Sequence, residues 1–330
     1  MSYKRLDSED FLVSVESITA TAWSTNQPTL TTFFTSSTAT SNDSYYKNVY
    51  QTASNISGSA VQFAIAYGDK LGSGSAYFNA LVPGVSPTKT VYGQYRNLIY
   101  GDENADFIFG TVTASNFWAI SVDRARYKEH LLKGTFNLTL KSGSSTIKLT
   151  DNSGMVSTDT YLDCGRVYQI VSGSNGTSWD NGTGYSSLSG SYGLFLPDIA
   201  TIILNPLALS QSISLSPSRS LNIDGKNIQT LFTAISGGGA FQLNSEETVT
   251  SDYVFVRVRN SEFNYTENPS FISGSTGDVI YSSLINSPQT YITTVGLYND
   301  SSELLAVAKL SKPLTKDFTR ELLLRTKLDF

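Results

Sequence analysis

The sequence predicts a mainly β fold with a few short helices, organised as two β-rich, sandwich-like domains with one inserted in the other. Three observations carry this expectation. The C-terminal stretch Leu322–Phe330 alternates strictly, with Leu324, Thr326, Leu328 and Phe330 on one face and Arg325, Lys327 and Asp329 on the other. That period of two is the pattern of a half-buried strand. The composition is 40% hydrophobic but only 15% charged, with Ser, Thr, Gly and Asn supplying the polarity. Such a balance suits turn-rich β proteins, and also surfaces covered by neighbours, because charge is depleted at the centres of interfaces. Short β-branched runs in the middle of the chain are separated by turn residues at regular spacing, which reads as a β meander.

Taken in order, an N-terminal arm leads into a strand over Phe11–Ile18. The aromatic, Thr-rich segment from Trp23 contains a loop at Asn26-Gln27-Pro28, then a strand Thr29–Phe34 and a polar loop Ser36–Tyr46. Val61–Tyr67 is the clearest early strand, followed by a Gly/Ser loop from Gly68 to Ser75. Thr88–Tyr100 reads as a helix with Val91, Tyr95, Leu98 and Ile99 on one face, although Gly93 weakens it. Phe117–Asp123 is a strand. The meander comprises Thr135–Leu140, Ser145–Thr150, Thr158–Leu162 and Arg166–Val171, with turns at Ser142-Gly143-Ser144 and Asp151-Asn152-Ser153-Gly154. A long Gly/Ser loop runs from Gly173 to Tyr192, and Leu194–Leu204 returns to strand character. Helices are expected at Pro206–Ser210 and at Asp224–Ile235, the second capped by Asp224 and stopped by Gly237-Gly238-Gly239. Ala240–Asn244 and Thr248–Val258 are extended, and Tyr291–Tyr298, Glu303–Leu310 and Leu322–Phe330 read as three core strands. The Gly-rich middle differs from its flanks, which suggests an outer domain of residues 1–110 plus 216–330 and an inserted domain of 111–215. Two successive domains is the simpler alternative. No repeat of fixed period is present.

Net charge is −5 and no Lys/Arg cluster stands out, which argues against nucleic acid as a partner. Met1–Thr25 carries acids and no apolar run, so no signal peptide is expected, and no apolar stretch is long enough to span a membrane. A single cysteine, Cys164, excludes an intrachain disulfide framework.

Little in the sequence points to catalysis. The only histidine, His130, lies between charged residues and reads as a surface or turn residue. Cys164 sits at a strand end, where cysteine packs as a small hydrophobe. One histidine and one cysteine cannot build the usual zinc site. There is no Gly-x-Ser-x-Gly elbow and no phosphate loop. The acids in Gly101–Asp106 lack the spacing of a calcium loop and read as a solvated turn. A glycosidase carboxylate pair has no positive support. No enzyme activity and no cofactor are expected.

Two segments look suited to docking. Asp123-Arg124-Ala125-Arg126-Tyr127-Lys128-Glu129 is a dense mixed-charge patch in a charge-poor chain. Val254–Arg259 places Arg257 and Arg259 on one face and leads into a polar–aromatic turn. Arg and Tyr are enriched at protein interfaces, although a solvated strand face explains the arginines equally well. Candidate interface residues are therefore Trp23, Phe33, Phe34, Arg124, Arg126, Tyr127, Tyr253, Arg257, Arg259, Phe263 and Tyr265.

The segments TVYGQYRNLIYGDENADFIFG (90–110), SVDRARYKE (121–129), VYQIVSGSNG (167–176), SEETVTSDYVFVRVRNSEFNYTENPSF (245–271) and YITTVGLYNDSSELLAVAKLSKPLTKDFTRE (291–321) resemble virion structural proteins of T4-like contractile-tailed bacteriophages, particularly those infecting cyanobacteria. Length and element order are similar to those of the dimerising baseplate wedge protein of such tails, whose β domains are nested. The resemblance implies a virion protein of the tail baseplate, assembled in the host cytoplasm, with other phage structural proteins as partners. It implies a homodimer or another symmetric oligomer and supplies no catalytic residues, while charge and hydropathy leave nucleic acid and membrane outside the expected partners. A receptor- or glycan-binding appendage is the alternative, with Trp179, Tyr185 and Tyr192 on the long loop, and a head or neck decoration protein fits the composition as well.

Overall fold

The computed structural model describes residues 3–35, 46–53, 55–74, 87–179, 190–218, 226–264 and 269–329, without the side chain of Ser283. Asp224, Tyr185, Tyr265, Phe330 and most of the 36–46 loop lie outside the described residues.

The fold is mainly β, as the alternation and turn spacing predict. The first strands are β1 (Phe11–Thr21), β2 (Thr29–Leu30), β3 (Phe34–Thr35), β4 (Tyr46–Tyr50) and β5 (Val61–Asp69). Helix α1 (Thr88–Tyr100) precedes β6 (Phe107–Phe109), β7 (Val112–Ala114), β8 (Asn116–Val122) and β9 (His130–Leu131). The meander is β10 (Asn137–Ser142), β11 (Ser145–Asp151), β12 (Thr160–Leu162), β13 (Gly165–Ser174) and β14 (Thr177–Ser178), followed by β15 (Gly193–Leu196) and β16 (Thr201–Leu204). Helices α2 (Pro206–Ile213) and α3 (Lys226–Gly238) lead to β17 (Phe241–Gln242) and β18 (Asn244–Val258). A short α4 (Ser282–Asn286), β19 (Thr290–Tyr298), β20 (Leu304–Lys316) and β21 (Leu322–Asp329) complete the chain.

The chain groups into two compact units, Ser17–Glu247 and Met1–Glu16 with Thr248–Phe330. These limits fall at other residues than the 110/111 and 215/216 expected from composition. Strands from both sides of those expected limits share one sheet, ordered β2-β17-β10-β11-β13-β15-β16-β8-β5-β4-β3.

The sheet of the larger unit is buried on both faces, which explains its continuous apolar runs. Ile65, Tyr67, Trp118, Ile120, Ile202 and Leu204 enter one core with α2 and α3, while Ala66, Phe117, Ala119 and Ile203 enter a second with α1. The period of two sorts neighbours in sequence into different cores. Helix α1 matches its predicted range, but Tyr92 is buried and Leu98 is 53% exposed. Leu98 lies off the centre of the stripe that Thr88, Tyr92, Tyr95 and Ile99 define at 3.6 residues per turn. The run Leu194–Leu204 is two strands, not one. Pro197 and Asp198 break it, Ala200 takes φ +49, and β15 folds back on β16. At the N-terminus of α2, the Asn205 side chain accepts from the Leu207 N–H at 3.0 Å, a cap the sequence reading missed.

The smaller unit holds β18, β21 and the N-terminal part of β1 in one sheet, plus the hairpin β19–β20. This brings the last strand into the same sheet as the first. Of the three strands read as core, β21 alone supplies a buried hydrophobic residue, Leu324. Among the described residues, the buried hydrophobic side chains of this unit are Val254, Val258 and Leu324. The hairpin instead exposes Tyr291 (62%), Leu305 (68%) and Val307 (58%). Alternation alone cannot distinguish a strand packed on a core from one with no partner.

Candidate assembly surface

The predicted docking residues separate into three places. In the first segment, Trp23 is 2% exposed and Phe33 8% exposed, so both belong to the core and only Phe34, at 42%, offers a surface. The Trp23 indole N–H donates to the Phe241 carbonyl at 2.9 Å, and its ring lies 4.9 Å from that of Phe241. A buried Trp needs such a partner for its N–H.

In the second place, Asp123 caps a short 3-10 turn, its Oδ1 accepting from the Ala125 N–H at 3.0 Å. Arg124 stacks 4.7 Å over Tyr127 and donates to the Tyr127 carbonyl at 2.8 Å. Tyr127 packs against the larger core, and the buried Arg126 Nε has no hydrogen-bond partner among the described residues. Arg124 is exposed, while Arg126 and Tyr127 are half-buried. This cluster holds its own geometry, with the exposed Arg124 guanidinium at its surface.

The third place lies in the smaller unit. Tyr253 is half-buried, and Arg257 and Arg259 are exposed on β18 and just beyond it. Phe263 is 38% exposed and takes φ +54. An aromatic residue in the left-handed region is strained by roughly 1–2 kcal/mol, so neighbouring contacts must hold it there. They do: the Phe263 carbonyl accepts from Thr290 Oγ1 at 2.7 Å. On either side, Lys316 Nζ donates to the Asn260 carbonyl (2.9 Å) and to Asn264 Oδ1 (2.7 Å). Lys316 also donates to the Asp317 carbonyl at 2.8 Å, which uses all three ammonium protons of a fully buried side chain. This knot ties the 260–264 turn to the root of the hairpin. The Arg259 N–H and the Lys4 ammonium hold the Glu262 carboxyl below its ordinary range.

The described groups with catalytic chemistry are engaged as follows. His130 is not a surface residue. Its side chain is 12% exposed on β9, with Nε2 3.0 Å from Glu246 Oε2. The Ser17 hydroxyl donates to the other Glu246 oxygen. Burial pushes the Glu246 carboxyl up, but Ser17 and His130 outweigh it and leave it below its ordinary value. Glutamate stands between serine and histidine here, so the imidazole is not placed to take the serine proton. Burial pushes the Cys164 thiol up to about 11, and the Asp198 and Asp163 charges act in the same direction. In the acidic turn, Asp102 accepts from the Asn104 N–H at 2.8 Å and Asp106 pairs with Lys70 at 2.5 Å. Among the described residues no group of three or more His, Cys, Asp or Glu side chains could hold a metal ion. A cleft of about 700 Å³ lies beside the Lys70–Asp106 pair, with Tyr67, Asn116 and Leu207 among its walls. Its charges are already closed on each other. No helix among the described residues is long and apolar enough to cross a membrane.

No family model, curated protein or solved structure matches the chain.

The sequence reading found Arg257 and Phe263 but missed their setting. Phe255, Leu323 and Arg325 share the exposed face with Tyr253 and Arg257. The alternation of Leu322–Asp329 was legible, yet strand pairing alone sets which residues stand opposite one another.

Proposed function

We propose that the chain is a structural assembly component of a contractile phage tail, most specifically a baseplate wedge subunit, working through protein–protein interfaces of its smaller unit. One observation supports this reading above the others. Among its described residues the smaller unit buries only Val254, Val258 and Leu324 as hydrophobic side chains, yet displays Phe11, Val13, Val15, Leu305 and Val307 to solvent. A two-stranded hairpin is marginal in water without packing, so β19–β20 calls for a partner surface. Large exposed apolar surfaces on otherwise well-packed chains mark interaction sites. The phage assignment itself rests on the sequence resemblance. Localising the chain in virions by cryo-electron microscopy tests it. A few copies per sixfold wedge at the baseplate is the expected result, and a shell of copies over the head overturns it.

A second reading, a glycan-binding appendage, is favoured by Trp179, which is 64% exposed at the end of β14. Tyr192 does not join it: that ring is buried and its hydroxyl lies 2.9 Å from Ser212 Oγ. Binding of the isolated chain to a glycan array, lost on Trp179→Ala, would replace the assembly reading.

A further inference from the structure

The β18–β21 ladder separates two chemistries by its register. Val254, Val256 and Val258 stand opposite Thr326, Leu324 and Leu322, and this face carries the buried hydrophobic side chains described in the smaller unit. On the other face, Tyr253 stands opposite Lys327, Phe255 opposite Arg325, and Arg257 opposite Leu323. Arg257, Leu323, Arg325 and Lys327 are exposed. The Arg325 guanidinium lies 5.3 Å and the Lys327 ammonium 5.9 Å from the Tyr253 ring centroid. Asp329 pairs with Lys327 at 3.0 Å, and the charge of Glu16 on β1 also reaches that lysine. Arg257 and Arg325 have no carboxylate within salt-bridge distance among the described residues. Two guanidinium groups without a salt-bridge partner among the described residues thus share an aromatic and aliphatic face in a chain of net charge −5.

We propose that this face is the docking surface for a carboxylate-rich segment of another protein. The inference rests on the assembly reading and gives the partner its chemistry. Planar guanidinium forks match carboxylates in bidentate geometry, and Arg and Tyr are among the side chains that anchor interfaces. Cations already resting on a ring lose less freedom when a partner arrives. A second copy meeting this face about a twofold axis sets cations against cations, which costs affinity. Single-stranded nucleic acid needs open rings to stack on, and the Tyr253 ring is flanked by the protein's own cations.

The test uses the full chain and a fluorescein-labelled deca-glutamate peptide, read by fluorescence anisotropy at low and physiological salt. Labelled deca-lysine and deca-thymidine serve as competing probes, and sedimentation velocity reports self-association. The glutamate peptide is expected to bind, and Arg257→Gln with Arg325→Gln is expected to weaken it about ten-fold or more. Four results overturn the proposal: no binding of the glutamate peptide, equal binding by the glutamine variant, tighter binding of deca-thymidine, or self-association that the variant abolishes. Should the glutamine variant unfold, Arg257→Lys with Arg325→Lys carries the test. It keeps the charge but loses the fork, and unchanged peptide binding counts against the proposal. Absence from a phage tail would overturn the assembly reading and leave the peptide result standing; failure to bind the peptide would do the reverse.

Discussion

Phe63 on β5 and Phe241 on β17 lie with ring centroids 5.3 Å apart at 70°, although six strands separate them in the sheet order. The sheet must therefore curl until its distant strands share one core. Trp23 completes the contact, 6.2 Å from Phe63 and 4.9 Å from Phe241. Both phenylalanines are 0% exposed. Phe63→Ala should cost about 3–5 kcal/mol by lost burial and a residual cavity. Urea unfolding of the variant measures this, and a loss under about 1 kcal/mol would show that the two ends of the sheet are not coupled through these rings.

Arg166 and Asp198 form a similar long-range tie in the larger unit. The Arg166 Nε donates to Asp198 Oδ1 at 3.0 Å, its NH2 group donates to the same oxygen at 2.5 Å, and the Arg166 backbone N–H donates to Oδ2 at 2.7 Å. Burial works to raise the Asp198 carboxyl, but these three donors outweigh it and hold it below its ordinary value. A carboxyl whose folded value is depressed stabilises the fold above its unfolded value, near pH 4, and that contribution disappears as pH falls through the folded value. Asp198→Asn should thus destabilise at neutral pH by roughly 1–3 kcal/mol and flatten the stability profile below pH 4. Parallel profiles for variant and parent would refute the assignment.

Lys316 governs the hairpin root. Removing its ammonium leaves the Asn260 carbonyl, Asn264 Oδ1 and the Asp317 carbonyl without their shared donor. Lys316→Met keeps the stem and should cost roughly 1–3 kcal/mol of local stability. Hydrogen–deuterium exchange should then rise across Thr290–Lys316 while the larger unit keeps its protection. Unchanged exchange in the hairpin would remove Lys316 from this role.

Cys164 tests the reading of a thiol without catalytic function. With its value pushed up to about 11, little thiolate exists at neutral pH. Alkylation by iodoacetamide should be about two orders of magnitude slower in the native chain than in urea, where the thiol returns to its ordinary value. Equal rates would show that burial does not raise the thiol, and a faster native rate would reveal an activated cysteine.

Local chemistry announced several of these elements. Gly143 at φ +58 makes the two-residue turn between β10 and β11 that the Ser-Gly-Ser signal predicted. The apolar period marked α1 and α3, and Pro197 marked the break between β15 and β16, although it was passed over. Trp23 and Phe33 show the opposite case. An aromatic segment looks the same whether it will cover a core or a partner, because burial of apolar surface has no direction.

The sequence by itself determined the secondary-structure class, the meander and the alternating faces, since these depend on side-chain period and turn geometry within a few residues. Only the tertiary structure decided which alternating face found a core. Strand pairing across long sequence separations put Phe63 beside Phe241, buried Lys316, placed Glu246 between Ser17 and His130, and set Arg257 and Arg325 on one exposed face. Register, set by the whole ladder, fixes those neighbours, and no local window of the chain contains it.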